Sequence, residues 1–143
     1  MRERQKNMTQ TDIAARLGRT VVAVPPVAWT AGLDLAESEN RKLIRHIEHG
    51  GVGALLYGGN ANLYHYDRGR FAALMDLLGE APAPETAVIP SIGPDFGKLL
   101  DESRILRDRK FAGVMALPMS FPTHPAGIEK AIRAAADTLA APL

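Results

Sequence analysis

Four short apolar runs, each followed by a pattern typical of an amphipathic helix, organise this chain. The runs are rich in Val, Ile, Leu and Ala, whereas apolar residues recur every three or four positions in the helical segments. The first run, Thr20–Val24, is continuous and β-branched, which predicts a strand buried on both faces. The predicted strands begin near Thr20, Val52, Ala87 and Gly113, and the helices cover 12–17, 35–49, 67–78, 96–109 and 127–140.

Strict alternation of strand and helix predicts a parallel sheet built from right-handed crossovers. Two architectures fit this pattern, a small open doubly wound sheet and part of a (β/α)₈ barrel. A full barrel takes about 250 residues, whereas this chain has 143 residues and holds about four units. Length alone therefore favours the open sheet.

The stretch 52–66, VGALLYGGNANLYHY, is the strongest candidate for a binding site. Its apolar run ends at a double glycine before an amide-rich turn, the form of a site at the carboxyl end of a parallel strand. Glycine lets the backbone approach a ligand, and unpaired N–H groups can meet an anion. The candidate anion or carboxylate cradle comprises Gly58, Gly59, Asn60, Ala61 and Asn62; a plain strand-to-helix turn that needs glycine is the alternative.

Side chains around this turn have both a chemical and a packing interpretation. They could line a pocket and exchange protons, or they could pack half-buried at the rim of the sheet. A metal site at His65 and Asp67 is disfavoured because no further ligand follows at a suitable spacing. The residues concerned are Tyr57, Tyr64, His65 and Tyr66.

Composition narrows the class of protein. The 17 Lys and Arg residues nearly balance 16 Asp and Glu residues, so no overall field favours nucleic acid or a membrane surface as a partner. Without cysteine the chain has no disulfide and no thiolate nucleophile. No apolar run approaches the roughly 20 residues of a membrane span, and the polar start, MRERQKNMTQ, lacks a secretory signal core. We therefore expect a soluble, cytoplasmic protein.

The order of several landmarks resembles the dihydrodipicolinate synthase and N-acetylneuraminate lyase family. AVPPVAW and GLDLAESENRKLIRHIEHGGVGALLYGG resemble that family's first-strand Thr-Pro-Phe turn, the helix opening with Leu-Asp and the strand ending in Gly-Thr-Thr-Gly-Glu. VIPSIG resembles its third strand, and FAGVMALPMSFPTHPAGI its fourth strand and the following turn and helix. The resemblance runs from about Val21 to the end of the chain.

This resemblance implies a (β/α)₈ TIM-barrel fold, here truncated to about the first four units, with 1–18 as a tail and short helix and 19–143 as a partial barrel. The family comprises class I lyases and aldolases in which a sixth-strand lysine forms a Schiff base with pyruvate or another 2-keto acid. The second-strand turn holds the keto-acid carboxylate and a fourth-strand tyrosine relays protons. The implied partner is a pyruvate-like 2-keto acid, and no cofactor is implied.

Individual positions depart from the family pattern. Gly58 matches the family glycine, but Gly59 and Asn60 stand at the two threonines, so backbone N–H groups remain while the threonine hydroxyl is lost. Met119 and Ser120 occupy the two tyrosine positions, which makes Ser120 the candidate catalytic residue. A serine hydroxyl is shorter and less acidic than a phenol, so the proton relay is weakened.

The sequence ends where the fifth strand would begin, so we expect the Schiff-base lysine to be absent from this chain. Its five lysines lie in the tail (Lys6), on helices (Lys42, Lys98 and Lys130) or before the fourth strand (Lys110). We expect a chain that is inactive alone and that forms a homo-oligomer or takes up a complementing second half. Alternatives are a non-catalytic carboxylate-binding or interaction module and a self-contained doubly wound domain.

Overall fold

Five α-helices and four strands form the structure, a computed structural model that describes residues 10–117, 123–139 and 141–143. The strands are β1 (Val22–Ala23), β2 (Ala54–Tyr57), β3 (Ala87–Ile92) and β4 (Met115–Ala116). The helices are α1 (Gln10–Leu17), α2 (Glu37–His49), α3 (Arg68–Glu80), α4 (Phe96–Leu106) and α5 (Pro125–Thr138). Two short 3₁₀ turns, Gly59–Ala61 and Leu63–His65, lie between β2 and α3.

The strands follow one another across the sheet in the order β1-β2-β3-β4, and every neighbouring pair is parallel. Right-handed crossovers between successive strands place all the connecting helices on one face of such a sheet. A doubly wound sheet instead reverses its strand order at a switch point. The doubly wound alternative is therefore wrong for the described strands, and the topology is that of consecutive barrel units.

The two faces of the sheet are covered differently. Leu55, Tyr57 and Val88 are buried against helix residues in the main core. Leu56 and Ile89 face the other way because side chains alternate along a strand, and these two are paired in register yet only half-buried. The face opposite the helices, the inner face of a barrel, is thus apolar and partly uncovered.

Helix α1 covers the amino-terminal end of this inner face. Its Ile13 belongs to a second cluster with Ala54 and Ala87, the first residues of β2 and β3, and Ala112, three residues before β4. A Cβ added at Gly113 would lie 2.9 Å from Ile13 Cδ1, so small residues here make room for the helix. The predicted division between 1–18 and 19–143 stays a prediction, although Ile13 joins the two parts.

The first strand is shorter and more exposed than its sequence indicates. The prediction that Thr20–Val24 is buried on both faces is wrong, since Val21 is 72% exposed and β1 has only two residues. It lies at the edge of the sheet, with β2 on one side and no described strand on the other. A run of β-branched and small apolar residues indicates burial inside a complete sheet. At the open edge of the described sheet, β1 lacks the neighbouring strand that would bury it.

The starts of α3 and α4 agree with the predictions because an aspartate caps each of these helices. Asp67 and Asp95 each accept a hydrogen bond from the N–H three residues later, at 2.9 Å, and so begin α3 and α4. The ends are less well predicted, since α4 stops at Leu106 rather than near Arg109. Polar residues after Leu106 carry no pattern that separates a last helical turn from a loop.

Candidate functional site

The predicted cradle lies directly after β2, at the carboxyl end of the sheet. Ala61 donates to the Gly58 carbonyl at 3.1 Å and Asn62 to the Gly59 carbonyl at 3.0 Å, which winds the segment into one 3₁₀ turn. Asn62 has a left-handed backbone, with φ of 55°. Within the described residues the N–H groups of Gly59 and Asn60 donate to no protein acceptor, and both residues are exposed. The turn therefore presents two adjacent free donors.

A serine hydroxyl lies beneath the turn. Ser91 on β3 is fully buried, and its Oγ is the one buried side-chain polar atom without a hydrogen-bond partner in the described part of the chain. A Cβ built on Gly58 would lie 3.0 Å from this Oγ and 3.0 Å from Met115 Cε. Glycine at 58 thus lets the strand end approach Ser91, and a buried hydroxyl without a partner is costly unless a ligand supplies one.

Two of the tyrosines near the turn are structural. The Tyr66 hydroxyl donates to the Ala61 carbonyl at 2.7 Å, and its ring meets Trp29 edge-to-face with centroids 4.9 Å apart. Burial raises the pKa of Tyr66 to about 12 and that of Tyr57 still further, so both phenols stay protonated at neutral pH. The packing interpretation is favoured for this pair, whereas Tyr64 and His65 are exposed.

Lys98 of α4 holds the second half of the same loop. Its ammonium donates to the carbonyls of Leu63 at 2.6 Å, Tyr64 at 2.9 Å and Tyr66 at 3.0 Å. An ammonium has three N–H donors, and here each has a backbone acceptor. The side chain is only 17% exposed, so these bonds form largely away from water. The loop between β2 and α3 is therefore anchored to the helix after β3.

Glu102 completes this anchor one helical turn later. One carboxylate oxygen lies 3.7 Å from Lys98 Nζ, and the other accepts the Gly93 N–H at 2.8 Å in the turn after β3. The side chain is 4% exposed. Burial raises the pKa of Glu102 to about 7, against the opposing effects of the Gly93 N–H and the Lys98 charge, while nearby Asp95 adds to the rise. At this position burial changes the pKa of the carboxyl group more than the ion pair with Lys98 does.

Several predicted site residues play other parts or are not described. Ser120, the candidate catalytic residue, and Met119 lie outside the described residues, so their predicted roles stay predictions. Asp67 caps α3, and the hydrogen bond from the Arg70 N–H is the main cause that lowers the pKa of its carboxyl group. Among the described residues no group of three or more His, Asp or Glu side chains comes together as a metal site.

The predicted positions of the lysines agree with the structure where it describes them. Lys42, Lys98 and Lys130 lie on helices and Lys110 precedes β4, while Lys6 lies outside the described residues. Of these, Lys98 alone contacts the candidate loop. A Schiff-base amine must offer an unprotonated lone pair to a carbonyl carbon. The Lys98 nitrogen is instead surrounded by oxygen acceptors and serves as a donor.

Sequence reasoning missed Ser91, Lys98 and Glu102 as parts of the site. A signal for Glu102 was present, because it lies three residues after Leu99 and four before Leu106, on the apolar side of α4. An acidic residue at a core position of a helix indicates a buried partner. For Ser91, no sequence signal separates a buried serine facing a ligand from one that bonds its own backbone.

A separate cavity of about 590 Å³ lies at the other end of the strands. It is bordered by the beginning of β3, the loop after α4 and the chain end, including Arg107, Lys110, Phe111 and Pro142. In parallel barrels the amino-terminal end serves stability and the carboxyl end carries chemistry. Because it lies at the opposite end of the strands, this cavity is separate from the candidate turn.

No helix among the described residues is both long enough and apolar enough to cross a bilayer.

The sheet order and the one-sided helices define the first four β/α units of a barrel, and solved barrels match the chain. No family model and no curated protein sequence matches it. The structure of YagE, a prophage protein of the dihydrodipicolinic acid synthase family from E. coli K12 in complex with pyruvate, has a TM-score of 0.75 at 18% identity. That match covers 87% of this chain and 43% of that chain.

Two further structures give the same result. N-acetylneuraminate lyase from Mycoplasma synoviae matches with a TM-score of 0.75 at 13% identity, over 86% of this chain and 44% of that chain. Dihydrodipicolinate synthase from Bacillus anthracis matches with a TM-score of 0.76 at 14% identity, again over 86% and 44%. At the level of the fold, these matches confirm the resemblance and the predicted partial barrel. The chain spans less than half the length of these solved structures.

The titration of Glu102 predicts a pH-dependent stability. Because its pKa is about 7 in the folded chain and an ordinary 4.5 in the unfolded one, the folded state binds more protons between these values. The free energy of unfolding should therefore fall as pH rises from about 4.5 to about 7, by at most about 3 kcal/mol from this group.

Urea unfolding at several pH values measures this effect. Glu102→Gln removes the titrating group and should flatten the fall, whereas Glu129→Gln, on the exposed face of α5, should leave it unchanged. Equal pH slopes for the wild-type chain and Glu102→Gln would contradict the assignment.

Proposed function

We propose that this chain is the amino-terminal half of a divergent dihydrodipicolinate synthase-like barrel, whose Gly58–Asn62 turn binds the carboxylate of a pyruvate-like 2-keto acid. The observation that carries the proposal is the pairing of two free N–H groups, on Gly59 and Asn60, with the unpartnered hydroxyl of Ser91, which lies next to the preceding Gly58. A carboxylate accepts hydrogen bonds and donates none, so it complements two backbone N–H groups and a hydroxyl that is free to donate. The similar YagE structure is a complex with pyruvate, which supports this class of ligand.

The turn uses backbone and serine donors in place of the family's threonines. Backbone N–H groups are fixed by the 3₁₀ turn and lose little entropy when they bind an anion. Ser91 comes from the neighbouring strand, so β2 and β3 together form the cradle. Loss of the threonine hydroxyls removes a proton relay but leaves carboxylate binding intact. The cradle therefore supports substrate recognition more directly than catalysis.

Catalysis would need a lysine from outside this set of residues. Lyases and aldolases of the resembled family use a sixth-strand lysine to form the Schiff base, and Lys98 is committed to three carbonyls. In the complete protein the amine would come from a second half of the barrel, carried on the same polypeptide or on another chain. A non-catalytic carboxylate-binding module is the second candidate, favoured by the altered turn.

A Ser91→Ala variant tests the cradle. If the hydroxyl donates to a bound carboxylate, pyruvate affinity should fall roughly tenfold, the value of a hydrogen bond to a charged group. The matched control is Ser103→Ala, which removes another fully buried serine hydroxyl that already donates to the Leu99 carbonyl at 2.7 Å. Isothermal calorimetry of pyruvate binding gives both affinities.

Borohydride added to the same mixtures separates binding from chemistry. We expect no reduced pyruvate adduct on the chain alone and unchanged affinity in Ser103→Ala. Equal affinities in Ser91→Ala and the wild-type chain would contradict the cradle, and an adduct on a lysine of this chain would contradict the assignment of catalysis to a second half.

The half-buried inner face supports the proposed second half. Leu56 and Ile89 lie side by side in the middle of this face, and β1 ends the sheet with an exposed Val21. Uncovered apolar surface and a free strand edge favour association. We infer that a second half barrel, which for the isolated chain can be another copy, covers this surface.

Light scattering of the chain after size exclusion tests this association. The wild-type chain should be larger than a monomer, and Leu56→Asp should shift it toward the monomer. Ile132→Asp replaces a 39% exposed apolar residue on α5, away from the inner face, and should leave the mass unchanged. A wild-type monomer, or equal masses for both variants, would overturn the inference.

A further inference from the structure

We propose that Lys98 is a positioning residue for the ligand-binding turn and that the neighbouring Glu102 links it to the turn after β3. The inference rests on the proposed 2-keto-acid binding and deepens it, because it assigns the shape of the cradle to a side chain outside the Gly58–Asn62 segment. It concerns how the free donors are held in place, and it requires no covalent role for the lysine.

The lysine is itself rigidly placed. Its backbone N–H donates to Asp95 Oδ1 at 2.9 Å, which fixes it in the first turn of α4. The side chain then crosses to the neighbouring loop, and three carbonyls within 3.0 Å surround its nitrogen. Glu102 lies 3.7 Å from the same nitrogen and is bound at its other oxygen to Gly93. The positive charge is thus held between two strand-to-helix connections.

A short path links this charge to the cradle. Leu63, whose carbonyl receives the shortest of the three bonds, directly follows Asn62, the last residue of the turn. At the other end of the loop, Tyr66 offers its carbonyl to Lys98 and its hydroxyl to the Ala61 carbonyl at 2.7 Å. Lys98 therefore bonds the loop at both ends, at Leu63 directly after the turn and at Tyr66 shortly before α3. Moving Lys98 would release both the residue after the cradle and the tyrosine that bonds back into it.

The geometry also explains why the turn can keep free donors. A 3₁₀ turn of three residues has few bonds of its own, here two, and would otherwise exchange with other loop conformations. Three charge-assisted bonds to the following residues restrict that exchange. With the loop held, the N–H groups of Gly59 and Asn60 are fixed and without a protein acceptor before any ligand arrives. Little of the binding free energy is then used to order them.

Hydrogen exchange and pyruvate affinity in Lys98→Met test the proposal. Methionine keeps most of the apolar stem and removes the three donors. We expect amide exchange to rise at least tenfold only at the hydrogen-bonded amides of this loop, those of Ala61, Asn62, His65 and Tyr66. Pyruvate affinity should fall about tenfold under conditions where the chain stays folded. Lys130→Met, an exposed lysine on α5, is the matched control and should change neither.

Tyr66→Phe is the milder second variant, should Lys98→Met not fold. It removes only the hydroxyl bond to Ala61 and should produce a smaller change of the same kind, in both exchange and affinity. Uniformly faster exchange throughout the chain would show a merely structural role and overturn the proposal. Local loosening with unchanged pyruvate affinity would overturn it as well.

The two readouts keep this proposal distinct from the proposed function. If the wild-type chain binds no pyruvate, that result alone contradicts the proposed function. The exchange pattern in Lys98→Met then still decides whether this lysine shapes the turn, because it is measured without ligand.

Discussion

The bonds from the Lys98 ammonium to three loop carbonyls are the interaction on which the candidate site depends. They connect α4 to the loop after β2, and Glu102 extends the connection to the turn after β3. Two adjacent carboxyl-end loops are thereby held as one unit. The free N–H groups of Gly59 and Asn60 belong to the first of these loops. The proposed anion site is therefore shaped by a largely buried cation that bonds to the residues after the turn.

A second constraint comes from the sheet itself. Helices bury the face that carries Leu55, Tyr57 and Val88, whereas the inner face is closed by Ile13 at one end and stays half-buried at Leu56 and Ile89. In a complete barrel this face would be filled by side chains from all eight strands. The contacts of the candidate turn come from β2, β3 and α4, so four units can hold this turn while the inner face stays partly uncovered.

Much of the fold was predictable because its signals are local. Aspartates at 67 and 95 and the apolar stripes of α3 and α4 set the helix starts, and the landmarks from AVPPVAW to VIPSIG gave the barrel rather than the open sheet. The tight turn after β2 was predicted for the same reason, whereas its role as a carboxylate cradle stays a prediction. Burial of Thr20–Val24 was not, because it depends on a neighbouring strand that the described sheet lacks.

The contacts that give the cradle its shape could not be predicted from local patterns. Lys98 is separated from Leu63 by 35 positions in the sequence. Its local sequence does not distinguish it from other helical lysines, and its contact with the loop depends on how α4 packs beside that loop. A role for Ser91 is indicated only by the structure, in which its buried hydroxyl has no hydrogen-bond partner. Long-range pairing of polar groups depends on packing angles and side-chain directions, which a single sequence does not specify.

Titration of the ¹⁵N-labelled chain with pyruvate, followed by amide resonances, is the most direct test of carboxylate binding at the Gly58–Asn62 turn. We expect saturable shifts that are largest at the Gly59 and Asn60 amides, and none with acetone, which has the keto group but no carboxylate. Shifts confined to the cavity bordered by Arg107 and Lys110, or equal responses to acetone and pyruvate, would contradict a carboxylate cradle at this turn.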